Sequence, residues 1–390
     1  MGNDVAWRLR AGHPWLFRDA LGGRPLREPP GAPIDIVDPS GTFVGRGLYD
    51  PEGPVAVRLF TRHPDEQLDP PTIRQRVAHA QALRSRLLEP TLSAHRIIHG
   101  EGDGLPGITV DRYGEYLVVH LYTAAVEPLL PALREGLATH WAPKGIYEQR
   151  RFRPPTGEGT RPPAELGWGE VAPVELVAEE EGIKFAVDVT APLGSGLFID
   201  LRQGRRLVAR HAAGRRVLNL FSYTGAFSVH AARAGATEIV SVDLATRAHG
   251  RARRNLQLNG LSEAGHEFIP GDAIKVMARM QDRGRKFDLI IIDPPSFARG
   301  PGGQVFVAQK DYRDLVAAAL GLTERGGLLA CASNTAKLPL EEFDRILGDG
   351  AAHAHRTLAV VERTGLPPDF PIPAGFPEGH YLKFELCAVG

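Results

Sequence analysis

Apolar and polar positions alternate most regularly after about residue 190, where strand-length apolar runs take turns with helix-length amphipathic segments. The apolar runs lie at 217–220, 238–243, 266–270, 287–293 and 327–331. The helix-length segments lie at 226–234, 246–258, 273–283 and 311–322. Apolar strands joined by helices are typical of a parallel, doubly wound, Rossmann-like α/β sheet. Two later runs, 356–363 and 381–389, have no crossover helix between them and predict an antiparallel hairpin at one edge.

Two further regions precede this sheet. Residues 1–70 contain short apolar runs broken by Asp-Pro, Ser-Gly and Pro-Glu-Gly turns, which predict a small β domain. Asp69-Pro70-Pro71 predicts a linker, because Pro-Pro cannot continue a strand or a helix. The next region mixes helical spacing, short strands and a Pro- and Gly-rich loop at 153–172, which predicts a middle α+β domain. The expected domains are 1–70, 71–189 and 190–390.

The composition is that of a folded globular protein, with 43% apolar and 24% charged residues in a chain of 390. Its two cysteines exclude a disulfide scaffold and a four-cysteine zinc site, and they suit a reducing cytoplasm. No apolar run approaches the roughly 18 residues of a membrane-spanning helix. We therefore expect a cytoplasmic protein without a membrane partner.

Charge leaves two interpretations open. The 46 basic residues balance 46 acidic ones, which excludes a polycation, but 39 of them are Arg and only 7 are Lys. Arginine pairs with phosphates and stacks on bases, so the bias favours RNA binding; a GC-rich genome would produce the same bias through its codons. Arginines also cluster just before the predicted first strand, as a phosphate-binding run or a solvated helix face. The cluster comprises Arg202, Arg205, Arg206, Arg210, Arg215 and Arg216.

The first candidate site is the segment VLNLFSYTGAFS at 217–228, where an apolar strand turns into a helix. Backbone amides at such a helix start can meet an electronegative ligand atom. Asp243 ends the next strand, where a carboxylate can accept both ribose hydroxyls, unless it only caps the following helix. The loop has Gly225 alone in place of G-x-G-x-x-G, so we expect an adenosine ligand without a diphosphate, which S-adenosylmethionine fits. The residues expected to contact it are Asn219, Phe221, Tyr223, Thr224, Gly225 and Asp243.

The second candidate site is FDLIIIDPPSF at 287–297, where Asp293 and two prolines follow an apolar strand. The prolines make the turn rigid, and Asp293 can accept a hydrogen bond from a nucleobase amine. The alternative is a strand followed by a stiff loop. Asp272, followed by Ala273, can accept from an adenine amino group or can cap the next helix.

The third candidate is Cys331, in LLACASN at the end of the fifth strand. A thiolate there could attack C6 of a pyrimidine and activate C5 for methyl transfer. The alternative is a small buried strand residue, which is the expectation for Cys387 in the last strand.

Taken in order, these motifs resemble the bacterial 23S ribosomal RNA large-subunit methyltransferases of the PUA-containing cytosine-5 type, nearly from end to end. The motifs are RLRAGHPWLF (8–17), GTFVGRGLYDPEGPVAVRLF (41–60), GEGDGLPGITVDRYG (100–114), GLFIDLRQGRR (196–206), NLFSYTGAFSVHAARAGA (219–236), DPPSFAR (293–299) and FPEGHYLKFEL (376–386). The resemblance implies an N-terminal PUA domain, a middle RNA-binding-like α+β domain and a C-terminal Rossmann-like methyltransferase. It also implies that Phe198, Asp200 and Arg202 fold over the cofactor.

One departure from the family pattern concerns the nucleophile. The cytosine-5 members usually carry a Cys-Ser-Cys-Ser-like run after the fifth strand, whereas this chain has Cys331-Ala332-Ser333-Asn334. The second cysteine position is therefore Ser333. The Ser-Asn pair is similar to a guanine-N7 ribosomal methyltransferase branch that lacks the thiol.

These observations predict methyl transfer from S-adenosylmethionine to an RNA base, with 23S rRNA as the expected partner. In the favoured reaction Cys331 adds to C6 of cytosine, C5 takes the methyl, a base removes the C5 proton, and Asp293 orients the target. A guanine N7 or N2 methyltransferase without covalent catalysis and a non-catalytic RNA-binding ribosome assembly factor stay open. A nicotinamide oxidoreductase is disfavoured by the missing glycines. A homodimer also stays open.

Overall fold

The computed structural model describes residues 2–22, 26–152, 161–192, 194–299 and 305–390. Contacts divide the chain into two compact units, neither of which is one continuous stretch of sequence. Unit 1 comprises Met1–Gly182, Val187–Ser195 and Pro368–Gly379, and unit 2 comprises Ile183–Ala186, Gly196–Pro367 and His380–Gly390.

The first sheet of unit 1 has four antiparallel strands in the order β1-β4-β3-β2. Its elements are α1 (Asn3–Arg10), β1 (Trp15–Phe17), β2 (Pro33–Val37), β3 (Phe43–Tyr49) and β4 (Val55–Thr61). Ala6 and Leu9 of α1 lie three positions apart, on one side of the helix, and pack with Val57 and Leu59 of β4. The predicted small β domain is confirmed, and α1 and β1 add to the three predicted runs.

The second sheet of unit 1 has five strands in the order β5-β6-β7-β8-β9. Its elements are α2 (Pro70–Leu87), β5 (Ala94–His99), β6 (Ile108–Tyr113), β7 (Tyr116–Leu121), α3 (Leu130–Trp141), β8 (Gly145–Arg150) and β9 (Glu165–Gly169). Strands β10 (Leu176–Glu180) and β11 (Ile183–Val187) follow along the chain. The mixture of helices and strands confirms the predicted α+β character of this region.

Two predictions for unit 1 were wrong. Asp69-Pro70-Pro71 is the start of α2, because the Asp69 carboxylate accepts the Thr72 amide at 2.9 Å and the prolines occupy the first turn. Proline suits that turn, since its missing N–H would have no helical partner there. The predicted loop at 153–172 contains strand β9, and its residues 153–160 lie outside the described ones.

Unit 2 is built on a seven-stranded sheet in the order β14-β13-β12-β15-β18-β20-β19. The strands are β12 (Arg216–Leu220), β13 (Glu238–Asp243), β14 (His266–Pro270), β15 (Phe287–Ile292), β18 (Thr323–Ser333), β19 (Leu358–Thr364) and β20 (Lys383–Val389), with a two-stranded ribbon of β16 (Phe297–Arg299) and β17 (Val305–Val307). The helices are α4 (Arg202–Arg210), α5 (Ala226–Arg233), α6 (Thr246–Leu258), α7 (Ala273–Asp282), α8 (Ala308–Leu322) and α9 (Leu340–His353). Helix α9 is additional to the sequence prediction.

Residues of the central strands alternate between two apolar clusters, one on each face of this sheet. Leu289 of β15 packs in the cluster of Val208 from α4, whereas its neighbour Ile290 packs in the cluster of Val316 from α8. All four side chains are buried, and burying each contributes about 1.5–3 kcal/mol. Strands β12 to β15 and β18 pair in parallel, and β19 and β20 pair antiparallel at one edge. The predicted doubly wound sheet with its edge hairpin is confirmed.

Among the residues described, no helix combines the length and the apolar character needed to span a bilayer.

Candidate functional site

A cavity of about 320 Å³ opens at the carboxyl ends of the parallel strands of unit 2. This is the edge at which doubly wound sheets bind ligands, because the strand-to-helix loops converge there. Nine of the predicted site residues line it, namely Phe198, Asp200, Phe221, Tyr223, Thr224, Asp243, Asp272, Ala273 and Asp293. The fold therefore brings together residues that the sequence spreads over nearly 100 positions.

The loop after β12 is strained. Phe221 and Tyr223 have φ angles of 59° and 47°, which side-chain-bearing residues rarely adopt. Surrounding hydrogen bonds hold the loop: the Thr224 hydroxyl donates to the Gly196 carbonyl at 2.5 Å, and Asn255 Nδ2 donates to the Thr224 carbonyl at 2.9 Å. Strain that neighbouring contacts enforce in this way is concentrated at functional sites.

Asp243 ties this loop to the next strand. One carboxylate oxygen accepts the Tyr223 amide at 2.8 Å, and the other accepts the Ala245 amide at 2.9 Å. Helix α6 begins at Thr246 without a side-chain cap, so Asp243 is not its capping residue. Each carboxylate oxygen has a second lone pair, which leaves acceptor capacity toward the cavity.

Asp272 caps the helix that follows it, which is one of the two roles that the sequence allows. Its carboxylate accepts the Lys275 amide at 3.0 Å and so caps α7. It lines the cavity as well, beside Ala273. The cap does not exclude a ligand contact, because a carboxylate can accept several hydrogen bonds.

Asp293 stands directly after β15, followed by Pro294 and Pro295 in the cavity wall. Burial and the neighbouring negative charge of Asp200 raise the pKa of Asp293 to about 7, against the opposing effect of Arg205. The group can therefore hold or release a proton near neutral pH. A second carboxylate, Asp200, lines the same cavity and accepts the Tyr381 hydroxyl at 3.0 Å.

Three predicted cofactor residues are not among the described residues that line the cavity: Arg202, Asn219 and Gly225. Asn219 Nδ2 donates to the Ser228 hydroxyl at 2.9 Å, which fixes the start of α5 against β12. Gly225 has a φ angle of 74°, and a Cβ there would lie 2.8 Å from the Ala252 Cβ, so only glycine fits. Arg202 is buried.

Cys331 also lies away from the cavity. It is wholly buried in the apolar cluster of Tyr312 and Cys387, at the level of Ile292 in the neighbouring strand. Burial raises the pKa of its thiol well above the ordinary value, so the thiol is protonated at neutral pH. Ser333, two residues later, ends the strand and is also buried.

Sequence reasoning missed several cavity residues. Asn334 lines the cavity and accepts the Ser296 hydroxyl at 2.6 Å, and Arg205 lines it while donating to the Phe198 carbonyl at 2.9 Å. Leu382 lines it from the segment before β20. Arg205 and Leu382 belong to the GLFIDLRQGRR and FPEGHYLKFEL motifs, but the spacing of these motifs along the sequence does not show that either residue lies beside the cavity.

The members of the arginine run, which the sequence interprets as a phosphate-binding run or a solvated helix face, have different surroundings. Arg205 is buried in the cavity wall, Arg210 pairs with Glu362, and Arg216 pairs with Asp288 at 2.9 Å. These arginines thus have internal partners in unit 2.

The sheet of unit 2 is mainly parallel, with a strained loop after β12, an acid at the end of β13 and an Asp-Pro-Pro segment in the cavity wall. The loop after β12 has Gly225 alone where a dinucleotide-binding loop has G-x-G-x-x-G. Together these features indicate an α/β methyltransferase. The comparisons agree: the chain belongs to the S-adenosylmethionine-dependent methyltransferase family, whose model matches residues 95–377, and a PUA-like domain model matches residues 3–62. The predicted fold class and cofactor, S-adenosylmethionine, are thereby confirmed.

Similar proteins include the Ribosomal RNA large subunit methyltransferase I of Shewanella denitrificans, which is 37% identical over 98% of this chain and 96% of the relative. The Escherichia coli O139:H28 protein of that name is 36% identical over 97% and 95%. The crystal structure of SMU.776, a protein assigned as a methyltransferase and complexed with SAH, is 26% identical with a TM-score of 0.91, over 99% of this chain and 98% of the other.

The donor set of the cavity fits this cofactor. Asp200 and Asp293 offer negative charge to a sulfonium cation, and Asp243 offers acceptors to ribose hydroxyls. Leu244 and Phe198 provide apolar surface, each nearly half exposed. Aromatic and aliphatic side chains of this kind suit the flat face of an adenine.

Proposed function

We propose that the protein transfers the methyl group of S-adenosylmethionine to a base of large-subunit ribosomal RNA. The observation that carries the proposal is the nearly full-length similarity to relatives named for that activity. The Asp-Pro-Pro wall of the cavity supports it, because a rigid acceptor beside the cofactor suits a nucleobase.

We assign the cofactor to one side of the cavity. Asp243 would accept the ribose hydroxyls, and Asp272 would accept from the adenine amino group. Asp200 would face the positively charged end of the cofactor. The other residues in contact would be Phe198, Phe221, Tyr223, Thr224 and Ala273. Arg202, Asn219 and Gly225 would act by shaping the loops that make these contacts. When bound, the cofactor supplies an electrophilic methyl group.

Asp293 would orient the target base. Its carboxylate can accept a hydrogen bond from a base amine, and a pKa of about 7 lets it take up a proton during the reaction. A base inside a helix must first be unstacked, which costs a few kcal/mol. The PUA-like domain (1–70) and the middle domain (71–189) would supply most of the RNA grip, with the methyltransferase at 190–390. Ribosomal RNA as substrate also implies a cytoplasmic location.

Two reactions compete for the identity of the base. In cytosine C5 methylation, the Cys331 sulfur would bond to C6, C5 would take the methyl, and loss of the C5 proton would release the thiolate. In guanine N7 or N2 methylation, the base nitrogen itself attacks and no protein nucleophile is needed. The buried, protonated Cys331 outside the cavity, together with Asn334 in the cavity wall, favours the second reaction.

The proposed substrate is tested by mass mapping of ribosomal RNA from a deletion strain. We expect one base methylation to disappear and to return with the wild-type gene but not with Asp293→Ala. An unchanged methylation pattern would overturn the proposal. Binding of RNA without any methyl transfer would instead support the non-catalytic assembly factor.

The choice of base is tested with Cys331→Ala and with RNA that carries 5-fluorocytidine. If no thiol takes part, we expect Cys331→Ala to keep methylation within about threefold, because removing one buried sulfur mainly affects packing. No covalent RNA adduct should form on denaturing gels. An adduct that disappears in Cys331→Ala, together with loss of activity, would instead establish cytosine C5 as the target.

A further inference from the structure

Lys383 is a buried lysine near the cavity that the proposed reaction does not use. It is 6% exposed, and no carboxylate of a described residue pairs with it. Because burial penalises the ammonium, the pKa of Lys383 falls to about 8. A buried cation without a counter-ion costs stability, so we ask what its two hydrogen bonds contribute.

Both hydrogen bonds go to backbone carbonyls that flank cavity residues. Lys383 Nζ donates to the Thr335 carbonyl at 2.6 Å, directly after Asn334 in the cavity wall. It also donates to the Tyr381 carbonyl at 2.9 Å, directly before Leu382 in the wall. One ammonium thus joins the loop after β18 to the segment before β20.

Each of these segments fixes a polar group of the cavity. The Tyr381 hydroxyl donates to Asp200 at 3.0 Å. The Thr335 hydroxyl donates to Ser296, whose own hydroxyl donates to Asn334 at 2.6 Å. The contacts form a chain from Asp200 to Asn334 with Lys383 at its centre.

We propose that Lys383 is a positioning residue, which holds Asp200 and Asn334 at the spacing that methyl transfer requires. This inference rests on the proposed function and adds to it a residue of the FPEGHYLKFEL motif that touches neither cofactor nor base. Five charged groups line the cavity on the side that these contacts face, namely Asp200, Arg205, Asp243, Asp272 and Asp293. On the strand side, Glu385 follows two residues along β20, with Arg363 and Asp344 around it.

The test compares Lys383→Met, Lys383→Arg and Tyr381→Phe with Lys286→Met. Lys286 is the matched control, an exposed lysine of the same unit whose Nζ also donates to a backbone carbonyl, that of Gly321. We expect Lys383→Met and Tyr381→Phe each to lower kcat about tenfold, since small misplacements at an active site are costly. The double variant should fall less than the product of the two effects, because both act on one chain of contacts.

The pH profile separates positioning from folding. In the wild type, kcat should fall above about pH 8, because the neutral amine of Lys383 lacks the charge that strengthens its two hydrogen bonds and holds the carbonyls less firmly. Lys383→Arg, whose guanidinium keeps its charge, should retain partial activity and lose this alkaline decline. If Lys383 had only a structural role, the alkaline decline in kcat would come from another group and would persist in Lys383→Arg. That result would overturn the proposal, as would multiplicative effects in the double variant.

Binding of SAH keeps this inference separate from the proposed function. By calorimetry, Lys383→Met and Tyr381→Phe should weaken SAH binding about fivefold, the effect of one hydrogen bond, and Lys286→Met should not. If the wild type binds SAH but methylates no ribosomal RNA, the proposed function fails while this measurement still stands. Unchanged SAH affinity in both variants would overturn the role of Lys383.

Discussion

Two titratable side chains near the ends of neighbouring strands differ in whether they can take part in the reaction. Asp293 follows β15 into the cavity wall, where a pKa of about 7 makes its proton exchangeable. Cys331 lies in β18 with its sulfur in the apolar cluster, where burial keeps the thiol protonated. Position along the strand therefore decides whether the residue can take part in chemistry: Asp293 lies beyond the end of its strand, whereas Cys331 lies within one whose two faces are both buried.

Asp293 should make cofactor binding depend on pH. A sulfonium cation favours the carboxylate form, so the affinity for S-adenosylmethionine should rise as pH increases through 7. SAH lacks that charge and should respond less. Calorimetry should show the affinity ratio of the two ligands increasing by up to about tenfold between pH 6 and 8.

Asp293→Asn is the control for this effect, because the amide has no proton to lose. Its ratio of affinities should stay flat with pH. If the variant keeps the wild-type pH dependence, another group is responsible for it.

The sequence identified cavity residues where a strand pattern leads directly to them, and the family resemblance added Phe198 and Asp200. Asp243 and Asp293 were predictable because each closes an apolar run, and strand ends of a parallel sheet meet at one edge. Asn334 is held by the Ser296 hydroxyl and Tyr381 donates to Asp200, both through hydrogen bonds between segments that are distant in sequence. Those contacts depend on tertiary structure, which spacing along the chain does not encode.

At the scale of elements, the strands of the parallel sheet were predicted because burial on both faces makes them continuously apolar. Strand β9 was missed, since its sequence ELGWG is largely exposed and forms a strand only through pairing with β8. Helix α9 was missed although Phe343, Ile346 and Leu347 follow helical spacing and pack into the core. Two glycines in its last turns weaken the pattern.

The edge hairpin of β19 and β20 contains a buried acid whose ionisation should weaken the fold. Burial and the adjacent Asp344 raise the pKa of Glu385 to about 7, although Arg363 lies 2.9 Å away. The unfolded chain releases this proton near its ordinary pKa, so the folded state loses stability as pH rises from about 4.5 through 7. Glu385→Gln should therefore stabilise the protein at pH 8 by on the order of 2 kcal/mol and leave it unchanged at pH 4.

Urea unfolding at the two pH values measures this difference. Glu362 is a neighbouring acid of β19 that is partly exposed and paired with Arg210, and Glu362→Gln should show no such pH-dependent gain. A loss of stability in Glu385→Gln at pH 8 would mean that its ion pair with Arg363 outweighs the cost of burial.

At the scale of the whole molecule, the chain is not organised as consecutive blocks. The sequence predicts three segments in order, whereas unit 1 also includes Val187–Ser195 and Pro368–Gly379. Segment Pro368–Gly379 is held inside unit 1 by Asp369, which accepts the Arg96 amide at 2.8 Å, and by Phe370, which lies 4.5 Å from the Arg96 guanidinium. Local pattern cannot reveal such a return of the chain, because its partners are more than 250 residues away.

Arg84 of α2 joins three distant parts of unit 1 and should be one of its strongest stabilising residues. Its guanidinium pairs with Asp103 at 2.5 Å and donates to the Asp369 carbonyl at 2.7 Å, with both Arg84 and Asp103 buried. Removing one partner of a buried pair leaves an uncompensated charge, so Arg84→Met should cost about 3–5 kcal/mol. Arg74 on the same helix pairs with Glu135 on the surface, and Arg74→Met should cost under about 1 kcal/mol.

All four tryptophans, Trp7, Trp15, Trp141 and Trp168, lie in unit 1, so their fluorescence in urea reports the unfolding of that unit. Equal unfolding midpoints for the two variants would show that the buried pair does not stabilise unit 1.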